Sequence, residues 1–194
     1  MKIFFARHGQ TTGDMENRYG GDFDDHMTPN GRQQALELAK KLADKGIQAI
    51  LTSPLIRARE TAEIISRHIG SPIFIEPALK ERNWYGVLTG MTKEEAARKF
   101  PRAVEELKDR NNTIPGGESY ADFSARVQGI IKRLGSDTEY NCIAVVSHGG
   151  PAKVLFRDIL KAGEIHIGDC GLVELEANGS GLIVKEMDGV KIVS

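Results

Sequence analysis

Residues 2–11 read Lys2-Ile3-Phe4-Phe5-Ala6-Arg7-His8-Gly9-Gln10-Thr11, and residues 143–150 read Ile143-Ala144-Val145-Val146-Ser147-His148-Gly149-Gly150. Each is a short unbroken apolar run that ends in a histidine and then glycine. A run of this length bounded by a turn residue reads as a strand buried on both faces, the usual state of strands in a parallel sheet. Both histidines therefore stand where a buried strand gives way to a loop. Such strand ends open into the crevice in which α/β folds place ligands. Arg7, beside the first histidine, suits the site to an anion.

Outward from these strands the chain alternates. After β-type residues 2–6 comes a long glycine-rich, acidic segment to Met27, read as loop. Thr28-Pro29 is a helix start with proline at the first helical position, followed by the apolar positions Ala35, Leu36, Leu38, Ala39 and Leu42 and an end near Gly46. Residues 49–51 form a second strand, and Ser53-Pro54 a second capped helix start leading to about His68. Residues 73–75 form a third strand, and residues 79–90 a loop. Thr92 with Glu95 is a capping box for a helix over 93–100, which Pro101 interrupts before a helix over 102–109. Ser119 with Asp122 opens a longer helix to about Leu134. Residues 141–147 are a core strand backed by a helix over 152–160, and residues 171–176 and 182–186 pair as strands across a turn at 177–180. This order predicts a three-layer α/β/α sandwich with a mostly parallel central sheet, in a single domain spanning 1–194.

Composition narrows the function classes. The 194 residues are 40% hydrophobic and 27% charged, with a net charge of −1, as in an ordinary soluble globular domain. Lys and Arg alternate with Asp and Glu and form no basic stripe, which argues against nucleic acid as a partner. The apolar runs are too short to span a bilayer, and no leader precedes the first strand, so no membrane partner and a cytoplasmic location are expected. Cys142 and Cys170 lack metal-ligand spacing; neither a disulfide nor a metal is expected. A homodimer is left open.

Two further residues join His8, Arg7 and His148 as candidates. Arg57 falls in the first turn of a helix that follows a strand, where amides and dipole also favour an anion, whereas Arg59 faces elsewhere. Glu81 lies in Leu79-Lys80-Glu81-Arg82-Asn83-Trp84-Tyr85-Gly86.

The pattern resembles the histidine phosphatase superfamily, also called phosphoglycerate-mutase-like. Arg7-His8-Gly9 with Thr11, Ser53-Pro54-Leu55 through Arg57-Ala58 to Thr61-Ala62, Leu79-x-Glu81 with Gly86 and Gly90, Gly116-Gly117-Glu118-Ser119, and Val146-Ser147-His148-Gly149-Gly150 follow that family's motifs in order. The resemblance implies a nucleophile at His8, a phosphate pocket of Arg7, Arg57 and His148, and a proton donor at Glu81, with no cofactor. Thr11, Asp14, Gly20, Gly21 and Gly149 complete the implied phosphate or substrate surroundings. The chemistry of these groups agrees. A neutral imidazole nitrogen can attack phosphorus in line, and the cations around it lower its pKa and neutralise the equatorial oxygens. A carboxyl group, favoured in its protonated form beside a phosphate dianion, can protonate the leaving alcohol and then deprotonate water.

Asp14 departs from the family's usual asparagine. Its carboxylate is expected to bond loop backbone; the sharper expectation is a contact with a substrate hydroxyl or amino group. Gly20 replaces a polar residue. Around the rim, Asp22, Asp24 and Asp25 make the first loop acidic, Arg18, Arg82 and Lys153 are the available cations, and Tyr19, Phe23, Trp84 and Tyr85 either flank a leaving group or anchor their loops. The expected partner is a small phosphorylated substrate with a neutral body. Hydrolysis is favoured over a phosphoglycerate-mutase-type transfer, since mutases tend to be longer. A non-catalytic phosphate-ester sensor is the remaining alternative.

Overall fold

The computed structural model of the chain describes residues 1–109, 112–136, 139–178 and 181–193. Six strands form one sheet in the order β3-β2-β4-β1-β5-β6. They are β1 Lys2–Arg7, β2 Ala49–Thr52, β3 Ile73–Ile75, β4 Cys142–Ser147, β5 Glu164–Asn178 and β6 Gly181–Val193. The pairs β3-β2, β2-β4 and β4-β1 are parallel, whereas β5 and β6 add an antiparallel edge. The sheet is thus mostly parallel, as the alternation of elements predicts.

The helices are α1 Thr12–Met15, α2 Pro29–Leu42, α3 Ile56–Ile69, α4 Lys93–Lys99, α5 Pro101–Glu106, α6 Tyr120–Ser136 and α7 Gly149–Val154. Side-chain alternation in the central strands divides them between two faces. Ile3, Phe5, Ile143 and Val145 point to one face and pack with Phe123, Val127, Ile130, Ile131 and Leu134 of α6 and Ala152 and Val154 of α7. Phe4, Ala6, Ala144 and Val146 point to the other and pack with Leu38, Ala39 and Leu42 of α2 and Ala58, Ala62 and Ile65 of α3. Phe4 and Phe5 are both fully buried, one on each face, each contributing about 2–3 kcal/mol of apolar transfer energy.

This division creates the site. β1 and β4 are adjacent and parallel, with Arg7 in register with Ser147, but the chain leaves β1 toward the α2 face and leaves β4 into α7 on the opposite face. The two exits open a crevice at the carboxyl ends of the strands.

Several element limits differ from the sequence expectation. The first long loop contains α1, because Thr11 and Asp14 form a reciprocal capping box. Pro101 does not end a helical stretch so much as begin one, at the first position of α5. Helix α3 starts at Ile56, not at Pro54: Leu55 is its N-cap without a side-chain bond, and Asp24 of the first loop accepts the Ile56 N–H at 2.7 Å. A carboxylate of the protein itself thus occupies the helix terminus expected to attract the ligand. The helix after His148 starts at Gly149, earlier than expected, and passes into a π-helical turn over Leu155–Ile159. The segment 79–90 includes the short turn Gly86–Leu88. The strands β5 and β6 are far longer than read; residues 179 and 180 of the expected turn lie outside the described residues.

Candidate active site

His8 leaves the end of β1 5% exposed, its N–H donating to Ser147 O at 3.0 Å. Strand pairing therefore brings it beside His148, whose ring centroid lies 5.0 Å away. The Nδ1 of His8 is 2.8 Å from the carbonyl of Gly9, an acceptor that can only receive a proton. That contact fixes the tautomer: Nδ1 carries the hydrogen and Nε2 keeps its lone pair. Arg57 Nε–H donates to this Nε2 at 3.1 Å. Burial, then the charges of Arg57 and Arg7, hold the His8 imidazole well below its usual pKa.

Arg57 is 4% exposed and is fixed mainly by the first loop. Its Nη1 donates to Phe23 O at 2.6 Å and pairs with Asp25 at 2.8 Å, while Nη2 donates to Gly21 O at 2.7 Å. Asp25, 6% exposed, also accepts the Gly13 N–H. Asp24 and Asp22 of that loop are similarly engaged, Asp24 at the start of α3 and Asp22 with Lys80. The loop acidity therefore orders the site and leaves the anion pocket positive. Removing one member of a buried ion pair strands the other charge. Asp25→Ala is expected to cost about 3–5 kcal/mol in urea-melt stability; a loss below about 1 kcal/mol would contradict a structural role for the pair.

His148 is fully buried. Its Nε2 lies 2.7 Å from Ser53 Oγ, which itself accepts the Leu55 N–H, so the serine hydroxyl hydrogen is free to point at the ring. In that arrangement His148 Nδ1 bears a hydrogen, and this buried nitrogen has no partner among the described residues. It is a donor in need of an acceptor. Burial, followed by the charges of Arg57, His8, Arg7 and Arg126, depresses the pKa of this imidazole as well.

Arg7 reaches toward β5, donating from Nη1 to Ile167 O at 2.9 Å and pairing from Nη2 with Asp169 at 3.1 Å. Glu81 arrives from the opposite side. One carboxylate oxygen accepts the Gly150 N–H at 2.9 Å and the other the Arg82 N–H at 2.8 Å. Its segment is fastened by Ser147 Oγ donating to Leu79 O, and by Arg126 of α6 donating to the carbonyls of Ala78, Lys80 and Glu81 while paired with Glu118. That pairing is a physical reason for Glu118 in the motif at residues 116–119.

The structure brings Arg7, His8, Thr11, Asp14, Gly20, Gly21, Arg57, Glu81 and Gly149 to one cleft of about 530 Å³, with His148 directly behind it. Asp14 accepts from Thr11 N at 3.0 Å and Thr11 Oγ1 at 2.8 Å, which is the backbone-capping role expected first. Trp84, Tyr85, Arg82, Lys153 and Arg18 also border the cleft, whereas Tyr19 packs on Tyr85 and Phe23 lies against Gly90, anchoring their loop. Arg59 is exposed. Arg82 is engaged with the protein, bonding Glu118 O and facing the Trp84 and Tyr120 rings. Sequence reasoning missed Asp25, Ser53 as the partner of His148, Arg126, Asp169, and Tyr120, Arg157, Glu164 and His166 on the outer wall. Asp25, Ser53, Arg126 and Asp169 have no local sequence signal, since each acts on a residue distant in the chain. Among the described residues, no three His, Cys, Asp or Glu side chains converge as a metal-binding group.

An α/β sheet whose strand ends collect two imidazoles, two guanidinium groups and a carboxylate forms a pocket suited to an anion. The sequence matches the histidine phosphatase superfamily (branch 1) over residues 3–188, and the chain belongs to that family. It is 34% identical over 165 residues to "Probable phosphoglycerate mutase GpmB" of Escherichia fergusonii, covering 82% of this chain and 75% of that protein. Among solved structures, the mycobacterial glucosyl-3-phosphoglycerate phosphatase superposes with a TM-score of 0.77 at 25% identity, covering 96% of this chain and 97% of that one. The α-ribazole phosphatase of Shigella flexneri shares the fold, with a TM-score of 0.85 at 24% identity over 96% of each chain. The relatives thus include both phosphatases and mutase-like proteins, and they support a phosphatase-type enzyme. No helix among the described residues is long and apolar enough to cross a membrane.

Proposed function

We propose that this protein hydrolyses small phosphomonoesters through a phosphohistidine formed on His8. The observation that carries the reading is the His8 Nδ1 to Gly9 O contact, which makes Nε2 the unprotonated nitrogen lining a cationic pocket, its lone pair met by Arg57 Nε–H until that donor turns to a phosphate oxygen. Nε2 attacks phosphorus in line, and the bond to the ester oxygen breaks as the new P–N bond forms. Arg7, Arg57 and the Nδ1–H of His148 hold the equatorial oxygens. Glu81 is the group that gives a proton to the leaving alcohol and then takes one from the water that opens the phosphohistidine. Glu81 is half-buried at the cleft wall, so water can reach it.

A phosphomonoester panel tests the activity: release of phosphate from several esters supports it, and no release from any contradicts it. Robust isomerisation of 3-phosphoglycerate, with or without 2,3-bisphosphoglycerate, would instead assign a mutase. Binding without turnover, equal in wild type and His8→Ala, would assign a sensor.

The two depressed imidazoles also predict a pH dependence of stability. In the unfolded chain both titrate near 6.5, whereas in the folded protein both stay neutral to lower pH. The unfolded state then binds more protons below that pH, so stability is fully present above 6.5 and is lost as pH falls toward the folded values. The two groups together give a slope of about 1.4 kcal/mol per pH unit at that point, rising toward about 2.7 a unit or more below it. Urea melts between pH 7.5 and 5.5 measure it; stability that is flat across this window would contradict two buried neutral histidines.

A further inference from the structure

The expected last strands carry no family motif, yet β5 reaches the site through an irregularity. Ile167 pairs with Val190 and Leu172 with Asp188, so residues 168–171 of β5 stand opposite Gly189 alone. A bulge of this kind bends a strand and re-aims its side chains, and bulges gather next to active sites. This one is tightly built. Cys170 adopts φ 54°, and a Cβ on Gly171 would lie 2.7 Å from the Ile167 side chain and 2.9 Å from Gly168 O. Three of its contacts converge on Arg7-His8. Ile167 O accepts from Arg7 Nη1 at 2.9 Å, Asp169 pairs with Arg7 Nη2 at 3.1 Å, and Cys170 N–H donates to His8 O at 3.1 Å.

We infer that Asp169 is a positioning residue for phosphoryl transfer, holding the Arg7 guanidinium against the bulge so that its remaining N–H groups face the phosphate on His8. The inference rests on the phosphoryl-transfer reading above. Ile167 O and Asp169 take one hydrogen from each terminal nitrogen, on one edge of a rigid planar group, and a planar group held at two points has its free edge fixed. An arginine without that anchor would spread over many rotamers and lose freedom when phosphate binds. Asp169 itself is half-buried, and the charged groups bearing on it are Arg7, Asp14 and His166. A carboxylate beside an anion pocket weakens anion binding by charge alone. Its two possible effects therefore have opposite signs, which makes the role decidable.

The experiment is a double-mutant cycle of Asp169→Asn and Arg7→Ala, reading orthophosphate affinity by calorimetry and kcat and KM on p-nitrophenyl phosphate. Asp169→Asn is expected to weaken phosphate binding and lower kcat/KM by about tenfold, within the range of coupled charged neighbours. In the Arg7→Ala background the same change is expected to cause no further loss, and to tighten phosphate binding slightly, because only the repulsion of the unpaired carboxylate is then removed. Asp169→Glu, which keeps a carboxylate, recovers part of the loss. Phosphate affinity that is unchanged or tighter in Asp169→Asn, or an equal loss without Arg7, overturns the assignment. Should Asp169→Asn not fold, Asp169→Ser is measured against the same criteria. Wild type that binds phosphate in an Asp169-dependent way but hydrolyses no ester would sink the hydrolase reading and leave the positioning role standing; wild type that binds no phosphate would end both.

Discussion

Replacing His8 with asparagine lowers kcat by about four orders of magnitude or more, the scale on which loss of a nucleophile registers. The substitution preserves a donor able to reach Gly9 O but deletes Nε2, the atom that Arg57 Nε–H meets at 3.1 Å. Arg7, Arg57 and His148 remain, so orthophosphate still binds while turnover is lost. The same variant removes one of the two buried neutral imidazoles, and the acid-side slope of stability falls by half. A phosphatase assay paired with calorimetry checks both halves. Activity within tenfold of wild type would show that His8 does not attack phosphorus.

Gly150→Ala is the second large effect, and it acts through Glu81. A Cβ at position 150 would lie 2.0 Å from Glu81 Oε1 and 3.0 Å from Phe123 Cζ, so the carboxylate has to leave the Gly150 N–H that now holds it. Alanine is a better helix former than glycine, and α7 is expected to survive. The loss is therefore one of general acid catalysis, about 10²–10³-fold in kcat on alkyl phosphates, with KM little changed. On p-nitrophenyl phosphate, whose phenolate leaves without a proton, the loss is expected to be far smaller. Equal losses on both substrates would contradict a proton-donor role for Glu81. The second glycine of the His148 motif is thus explained by space for a carboxylate that is 69 residues away in the chain.

Much of this arrangement is legible from local pattern. The apolar runs at Ile3–Ala6 and Ile143–Val146 read as two-faced strands because each residue in turn packs on the α6 or the α2–α3 side of the sheet. Thr28 and the Thr92–Glu95 box read as helix starts because both partners of each bond lie within four residues. What escaped the sequence depends on distance. Ser53 looks like a cap, but its hydroxyl faces His148, and the cap of α3 comes from Asp24, 32 residues upstream. The hairpin β5-β6 is under-read because exposed Ile183, Met187 and Ile192 blur its alternation and the bulge at 168–171 breaks its register. Asp25, Arg126 and Asp169 have no signal of their own, since each matters through an arginine or a backbone that only folding brings near.

The central claim is that Nε2 of His8 carries the phosphoryl group from the ester oxygen to water. Rapid quench of the protein with a ³²P-labelled phosphomonoester, followed by peptide mapping, tests it most directly. Label that is acid-labile and base-stable on the peptide containing His8, and absent from the His148 peptide, is the predicted result. Turnover with no covalent label, or label on any other residue, would contradict the account.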